Sequence, residues 1–222
     1  MSNFKAFLKK KDITVTWQRY GIEALGAMAQ GLFCSLLIGT IIKTLGTQLG
    51  VQFITDIGTY AMAVSGPAMA VAIGYALKSP PMVLFSLAAV GWAANAEGGA
   101  GGPLAVLIIA IAAAECGKAV SKETKVDLLV TPGVTILVGV ALAKLIAPPI
   151  GTAANALGLL IIEATNLRPF FMGILVSVIV GVALTLPISS AAICSVLGLT
   201  GLAGGAAVAG CCAQMVGFAV IS

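Results

Sequence analysis

Long hydrophobic runs, separated by charged residues, dominate the chain. The longer uncharged intervals span 24–42, 57–77, 79–96, 98–114, 128–143, 145–162 and 169–222. A helix needs about 20 apolar residues to cross a bilayer. Most of these intervals reach that length or come close to it, and the last has room for two crossings. The pattern therefore predicts an all-α fold, a polytopic transmembrane helix bundle with about seven hydrophobic segments.

Glycine and proline interrupt several of these runs, so we predict broken or re-entrant helices. The predicted spans are 22–43, 56–77, 82–96, 103–117, 128–147, 169–186 and 191–218, with 151–166 lying along the outer surface. The predicted breaks are Ser65-Gly66-Pro67, the glycine-rich stretch 95–103, Ala147-Pro148-Pro149 and 186–190. Discontinuous helices often build transporter binding sites, because unpaired backbone in a membrane must face protein or water. The alternative is that the prolines only kink or end helices.

A few polar side chains lie beside the predicted breaks. Asn95 and Glu97 precede a run of glycines, and Thr185, Ser189 and Ser190 surround a proline in an uncharged stretch. An ionisable residue inside a membrane is a functional candidate, and amides, carboxylates and hydroxyls all hydrogen-bond polar solutes. We predict that these five residues bind substrate, with Glu97 as the first candidate.

Composition agrees with a membrane location and excludes most catalytic chemistry. Hydrophobic residues make up 59% of the chain and charged residues 9%, whereas globular domains are about 25% charged. The chain has no histidine, no CxxC pair and no GxxxxGK[ST] phosphate loop. We therefore expect no catalytic residue, no metal site and no cofactor. The net charge of +4 comes from short patches between apolar runs, so it does not indicate nucleic-acid binding.

The distribution of basic residues predicts the topology. If the N-terminus is cytoplasmic, nine of the 12 Lys and Arg residues lie inside, and only Lys43, Lys144 and Arg168 lie outside. Residues 1–21 form a basic N-terminal segment, either a short helix on an anionic leaflet or a disordered tail. Residues 22–222 form the transmembrane domain.

Four stretches, in order, resemble the membrane subunit of a known transport system. They are 68–81 (AMAVAIGYALKSPP), 98–111 (GGAGGPLAVLIIAI), 129–157 (with its Pro-Pro-Ile turn) and 185–192 (TLPISSAA). They resemble enzyme IIC of bacterial phosphotransferase-system (PTS) sugar permeases, within the fructose-like group. The last stretch lacks that group's acidic Pro-Val-Asn-Lys motif, which matches better a divergent branch labelled putative toxin regulators.

The resemblance implies a permease subunit in the bacterial inner membrane. Such a protein moves a small polar solute, here a sugar, inward while separate IIA and IIB components carry the phosphate, and it is usually a homodimer. The resemblance also implies a chain longer than 222 residues, with further helices after Ser222. Two alternatives are a non-transporting membrane regulator on the same fold and an unrelated small-solute carrier or channel.

Overall fold

The computed structural model describes residues 7, 10–14, 16–123, 125–167, 169–183 and 201–221. Within these ranges the secondary structure is helical, with no β-strand. The main helices are α1 (Gln18–Leu49), α2 (Gln52–Ala63), α3 (Ser65–Ala76), α4 (Pro81–Gly98), α5 (Gly102–Val120), α6 (Asp127–Leu167), α7 (Pro169–Ala183) and α8 (Gly201–Ile221). The predicted all-α bundle is confirmed.

Several helices in the described part are long and apolar enough to cross a membrane. They are Gln18–Leu49, Gly102–Val120 and Asp127–Ala153. The pair α2 and α3 counts as a fourth span if the two are taken together, and it bends by 46° at its break. Helix α4 is shorter and less apolar than these spans, as expected for the segment predicted over 82–96.

The core lies where α1, α3, α4, α5 and α6 meet, and it is rich in small side chains. Its fully buried members include Ala24, Met28, Ala70, Ile73, Val90, Ala94, Ala110, Ala113 and Ala143. Large apolar side chains such as Phe53, Tyr75 and Leu137 are mostly exposed on the outside. Small residues inside and large ones outside are typical of helices that pack closely in lipid.

The predicted break at Ser65-Gly66-Pro67 is confirmed. Val64 leaves helical geometry, with φ −91° and ψ 11°, and α3 begins at the next residue. Pro67 lies in the first turn of α3, where its missing N–H has no intrahelical role. Gly66 and Gly91 let α3 and α4 cross closely, because a Cβ on Gly66 would lie 2.5 Å from the Gly91 carbonyl oxygen.

The predicted break in the glycine-rich stretch is also confirmed. Helix α4 ends at Gly98, a single 3₁₀ turn covers Gly99–Gly101, and α5 begins at Gly102. Gly99 has φ +49°, a backbone conformation that glycine adopts readily and other residues rarely do. This tight connection brings the start of α5 back beside the end of α4.

The predicted break at Ala147-Pro148-Pro149 is wrong. Helix α6 continues from Asp127 to Leu167 with both prolines inside it, so 151–166 is not a separate surface segment. An interior proline usually costs about 3 kcal/mol in a helix. Here buried Ala147 and Gly151 pack against Gly98, which holds the helix together across the prolines. Tertiary contact has overridden local propensity.

Helix α1 extends beyond the predicted 22–43. It ends at Gly50, whose left-handed backbone (φ +67°) terminates the helix. It also contains two π-helical stretches, Gln18–Glu23 and Phe33–Leu37. The predicted break at 186–190 lies outside the described residues, and α7 and α8 occupy the described parts of the last two predicted spans.

Candidate functional site

Asn95 lies where three helices meet. A Cβ on Gly66, near the start of α3, would lie 2.7 Å from the Asn95 Cβ. A Cβ on Gly102, the first residue of α5, would lie 2.5 Å from Asn95 Oδ1. The half-buried amide of α4 is thus held between the beginnings of α3 and α5.

The beginnings of both neighbouring helices lie beside this amide. The first N–H groups of a helix have no intrahelical acceptor, and the N-terminus carries a partial positive charge. Ser65, which opens α3, is buried, and so are Gly102 and Pro103 at the start of α5. With a rise of 1.5 Å per residue, Asn95 lies roughly 20 Å along α4 from Pro81. Asn95 is also three residues before the end of α4 at Gly98. This arrangement of broken helices around a polar group can bind hydroxyl or anionic oxygens of a solute.

Glu97 does not share this junction with Asn95. Residues two apart on a helix face different directions, and Glu97 turns towards α6. Its carboxylate accepts a hydrogen bond from the Lys144 ammonium at 3.4 Å. The two side chains are 41% and 70% exposed. The structure therefore places Asn95 and Glu97 near each other, on two faces of α4. Thr185, Ser189 and Ser190 lie outside the described residues.

The opposite end of the bundle holds a polar network that the sequence did not predict. We call the end formed by residues 10–14, 16–20, 77–80, 115–123 and 125–127 the basic end. Arg19 and Lys118 are buried there, at 9% and 2% exposure. Both donate to the carbonyl oxygen of Leu77, at 2.7 Å and 3.1 Å. That carbonyl follows α3, and the negative end of a helix dipole favours cations.

Carboxylates complete the network at the basic end. Asp12 accepts hydrogen bonds from both terminal nitrogens of Arg19, at 3.2 Å and 2.6 Å. These bonds hold the pKa of Asp12 below its ordinary value. Glu115 accepts from Lys118 at 3.2 Å and from the Tyr20 hydroxyl at 3.0 Å. The network ties the N-terminal segment to α1, α3 and α5.

Two sequence signals point towards this network. Arg19 lies next to the first apolar run, and Glu115 and Lys118 stand three residues apart near the end of another. A pair at that spacing meets on one helix face. The sequence carries no sign that both cations share one carbonyl, because that contact depends on how α3 packs between α1 and α5.

Comparison with known protein families decides what kind of bundle this is. A family model described as "Phosphotransferase system, EIIC" matches residues 22–222. The chain belongs to this family. It is thus a membrane subunit of the PTS transport type, a type that works with IIA and IIB components. Comparison with curated proteins and with solved structures finds no significant match.

Proposed function

We propose that this EIIC chain moves a small polar solute, a sugar, inward across the bacterial inner membrane. Separate IIA and IIB components supply the phosphate. The solute pathway passes Asn95 and Glu97, and Thr185, Ser189 and Ser190 form its second polar cluster. The chain has no histidine, so it lacks the usual side chain for carrying a phosphoryl group.

The convergence of two helix N-termini on Asn95 is the main support for this proposal. A sugar presents many hydroxyl groups, and each can accept from a free backbone N–H and pair with an amide. Glu97 and Lys144 add a charged, partly exposed pair beside the same glycine turn.

The proposal includes a topology and an oligomeric state. The N-terminus and the basic end face the cytoplasm, as the excess of Lys and Arg favours. The chain works as a homodimer, and it belongs to the fructose-like group or to the divergent branch that the TLPISSAA stretch favours. That same stretch supports one alternative, a regulator that no longer transports.

An uptake assay separates the permease from the regulator. Sealed right-side-out vesicles containing the chain, IIA and IIB components and a phosphoryl donor system that phosphorylates IIA are given a panel of labelled sugars. The permease predicts accumulation of one phosphorylated sugar, lost when the phosphoryl donor is omitted. Vesicles without the chain are the control. If no sugar in the panel is taken up or bound, only the regulator remains.

A further inference from the structure

A cavity of about 250 Å³ opens at the basic end, beside the polar network. Five lysines line it: Lys10, Lys11, Lys78, Lys118 and Lys122. They come from three separate parts of the chain, which are the N-terminal segment, the turn after α3 and the end of α5 with its loop. A pocket lined by so many ammonium groups is a candidate for an anionic ligand.

The carboxylates near this cavity are already engaged. Asp12 pairs with Arg19 at 2.6 Å, and Glu123 pairs with Lys11 at 2.6 Å. Glu115 pairs with Lys118 at 3.0 Å.

Asp127, at the start of α6, accepts from the Lys122 backbone N–H at 2.7 Å and from the Thr131 hydroxyl. Within the described part of the chain, the side-chain ammonium groups of Lys10, Lys78 and Lys122 have no carboxylate oxygen within 4 Å. The cavity is left with a surplus of positive charge on exposed lysines.

Backbone strain is concentrated at the same cavity. Among the described residues, the non-glycine residues with positive φ are Asp12 (53°), Lys78 (54°) and Lys122 (62°). All three line this cavity. Lys78 follows a helix end closed by two hydrogen bonds, Lys78 N–H to Tyr75 and Ser79 N–H to Gly74, both 2.9 Å. Glycine is the usual residue at such a position. Strained residues gather at functional sites, because a ligand can repay the cost of holding them.

The cavity lies where spanning helices end, and lipid headgroups surround the ends of helices that cross a bilayer. Trp17, 82% exposed at the start of α1, occupies the position of an interfacial aromatic anchor. Anionic lipids attract lysines that cluster beside membrane spans. We propose that this cavity binds the phosphate group of an anionic phospholipid. Lys78 and Lys122 contact the phosphate, while buried Lys118, paired with Glu115, forms the floor of the cavity. The inference needs only a membrane-embedded chain, so it does not depend on sugar transport.

Native mass spectrometry of the full chain in detergent, titrated with phosphatidylglycerol or phosphatidylcholine, tests this site. Lys78→Gln and Lys122→Gln should each weaken phosphatidylglycerol binding about fivefold, since one lysine near an anionic lipid surface contributes about that factor. Lys125→Gln is the matched control, because Lys125 is exposed on the same loop and does not line the cavity. It should change the affinity less than twofold.

Two further measurements separate the effect of backbone strain at Lys78 from that of its charge, and a lipid ligand from a soluble phosphate ester. Lys78→Gly removes the charge and suits the left-handed backbone, so it should bind the lipid weakly while melting at the same temperature or higher. Glycerol 3-phosphate at millimolar concentration should not displace phosphatidylglycerol. Equal binding of the two lipids by the wild type, or equal losses in Lys78→Gln and Lys125→Gln, would overturn the proposal. Displacement by glycerol 3-phosphate would overturn the lipid as the ligand and assign the cavity to a soluble phosphate ester.

Discussion

Asn95 and Glu97 show what a single residue contributes in this bundle. They are two positions apart in α4, yet Asn95 packs between two helix N-termini and Glu97 reaches Lys144 on α6. The sequence marked both residues because they are polar beside a glycine run. The side of α4 that each one faces depends on the angle at which α3 and α4 cross, at Gly66 and Gly91. No local signal in the sequence predicts that angle.

Glu97→Gln should weaken solute binding about fivefold, because the variant loses the hydrogen bond from the solute to the carboxylate. Such a bond contributes on the order of 1 kcal/mol or more. The carboxylate is 41% exposed and so remains accessible to a solute. Lys144→Gln should leave the affinity unchanged or raise it, since it frees the carboxylate, and an exposed pair contributes little to stability. Titration of both variants with the transported sugar checks this. An unchanged affinity in Glu97→Gln would remove the residue from the site.

Asp12 should make docking of the N-terminal segment dependent on pH. Arg19 holds the Asp12 pKa below its ordinary value of 3.8. The Asp12–Arg19 pair therefore stabilises the docked segment fully above the ordinary pKa of 3.8. This stabilisation is lost as the pH falls through the lower pKa that Asp12 has in the docked state. Trp17 fluorescence in a Trp92→Phe background should therefore stay constant from neutral pH to about 4 and change below it. Asp12→Asn should show no change in signal over this pH range, because it has no carboxylate to protonate, and a pH profile identical to the parent would contradict this.

At the scale of helices, the sequence predicted well which segments are helical and predicted poorly how the helices pack against each other. The runs between charges became helices because hydropathy and length alone select them in a membrane. The glycine turn after Gly98 was predictable because its chemistry is local. Continuation of α6 through Pro148 and Pro149 was not, since it rests on the contact with Gly98.

The pairing of α7 and α8 makes the same point. Small residues recur at four-residue spacing along Gly173, Ser177 and Gly181 and along Gly201, Gly205 and Ala209, a pattern that lets helices pack closely in lipid. The close contact joins Ser177, from the first set, to Gly210, which is outside the second: a Cβ on Gly210 would lie 2.3 Å from the Ser177 carbonyl oxygen. Gly201 and Gly205 meet nothing within 4 Å in the described part. Spacing identifies a face that can pack but does not fix its register.

Gly66→Ala should destabilise the bundle at the α3–α4 crossing. Its Cβ would lie 2.5 Å from the Gly91 carbonyl oxygen, and overpacking of this kind costs about 1–3 kcal/mol. Gly26→Ala is the control, because a Cβ there meets nothing within 4 Å and alanine favours a helix. Thermal unfolding in detergent should show a fall of several degrees for the first variant and none for the second. Equal melting temperatures would mean that the helices do not cross closely here.

At the scale of the whole molecule, the chain has two polar ends with different chemistry. The basic end is rich in lysine and holds the ion pairs of buried Arg19 and Lys118, whereas the end with the glycine turn is sparsely charged. The sequence predicted that residues 10–19, Lys78 and the lysines of the 118–125 loop share one side of the membrane, and their contacts now place them together. It did not predict the cavity among them, which depends on where three separate segments meet.

The proposed topology predicts protease access from one side only. Lys122 and Lys125 are exposed in the loop before α6. Trypsin should cut this loop in sealed inverted vesicles and leave it intact in right-side-out ones, because the basic end faces the cytoplasm in the proposed topology. Detergent-opened vesicles of both kinds are the control and should be cut alike. Cleavage in intact right-side-out vesicles would reverse the topology.

The most direct measurement of the solute pathway compares Asn95→Ala with Gln48→Ala. Both variants remove a side-chain amide, but Asn95 lies at the helix junction and Gln48 is exposed near the end of α1. Calorimetric titration with the sugar identified in the uptake assay should show about a tenfold weaker affinity for Asn95→Ala, equivalent to about 1.4 kcal/mol. Gln48→Ala should bind as the wild type does. Wild-type affinity in a folded, membrane-inserted Asn95→Ala variant would contradict the pathway past Asn95.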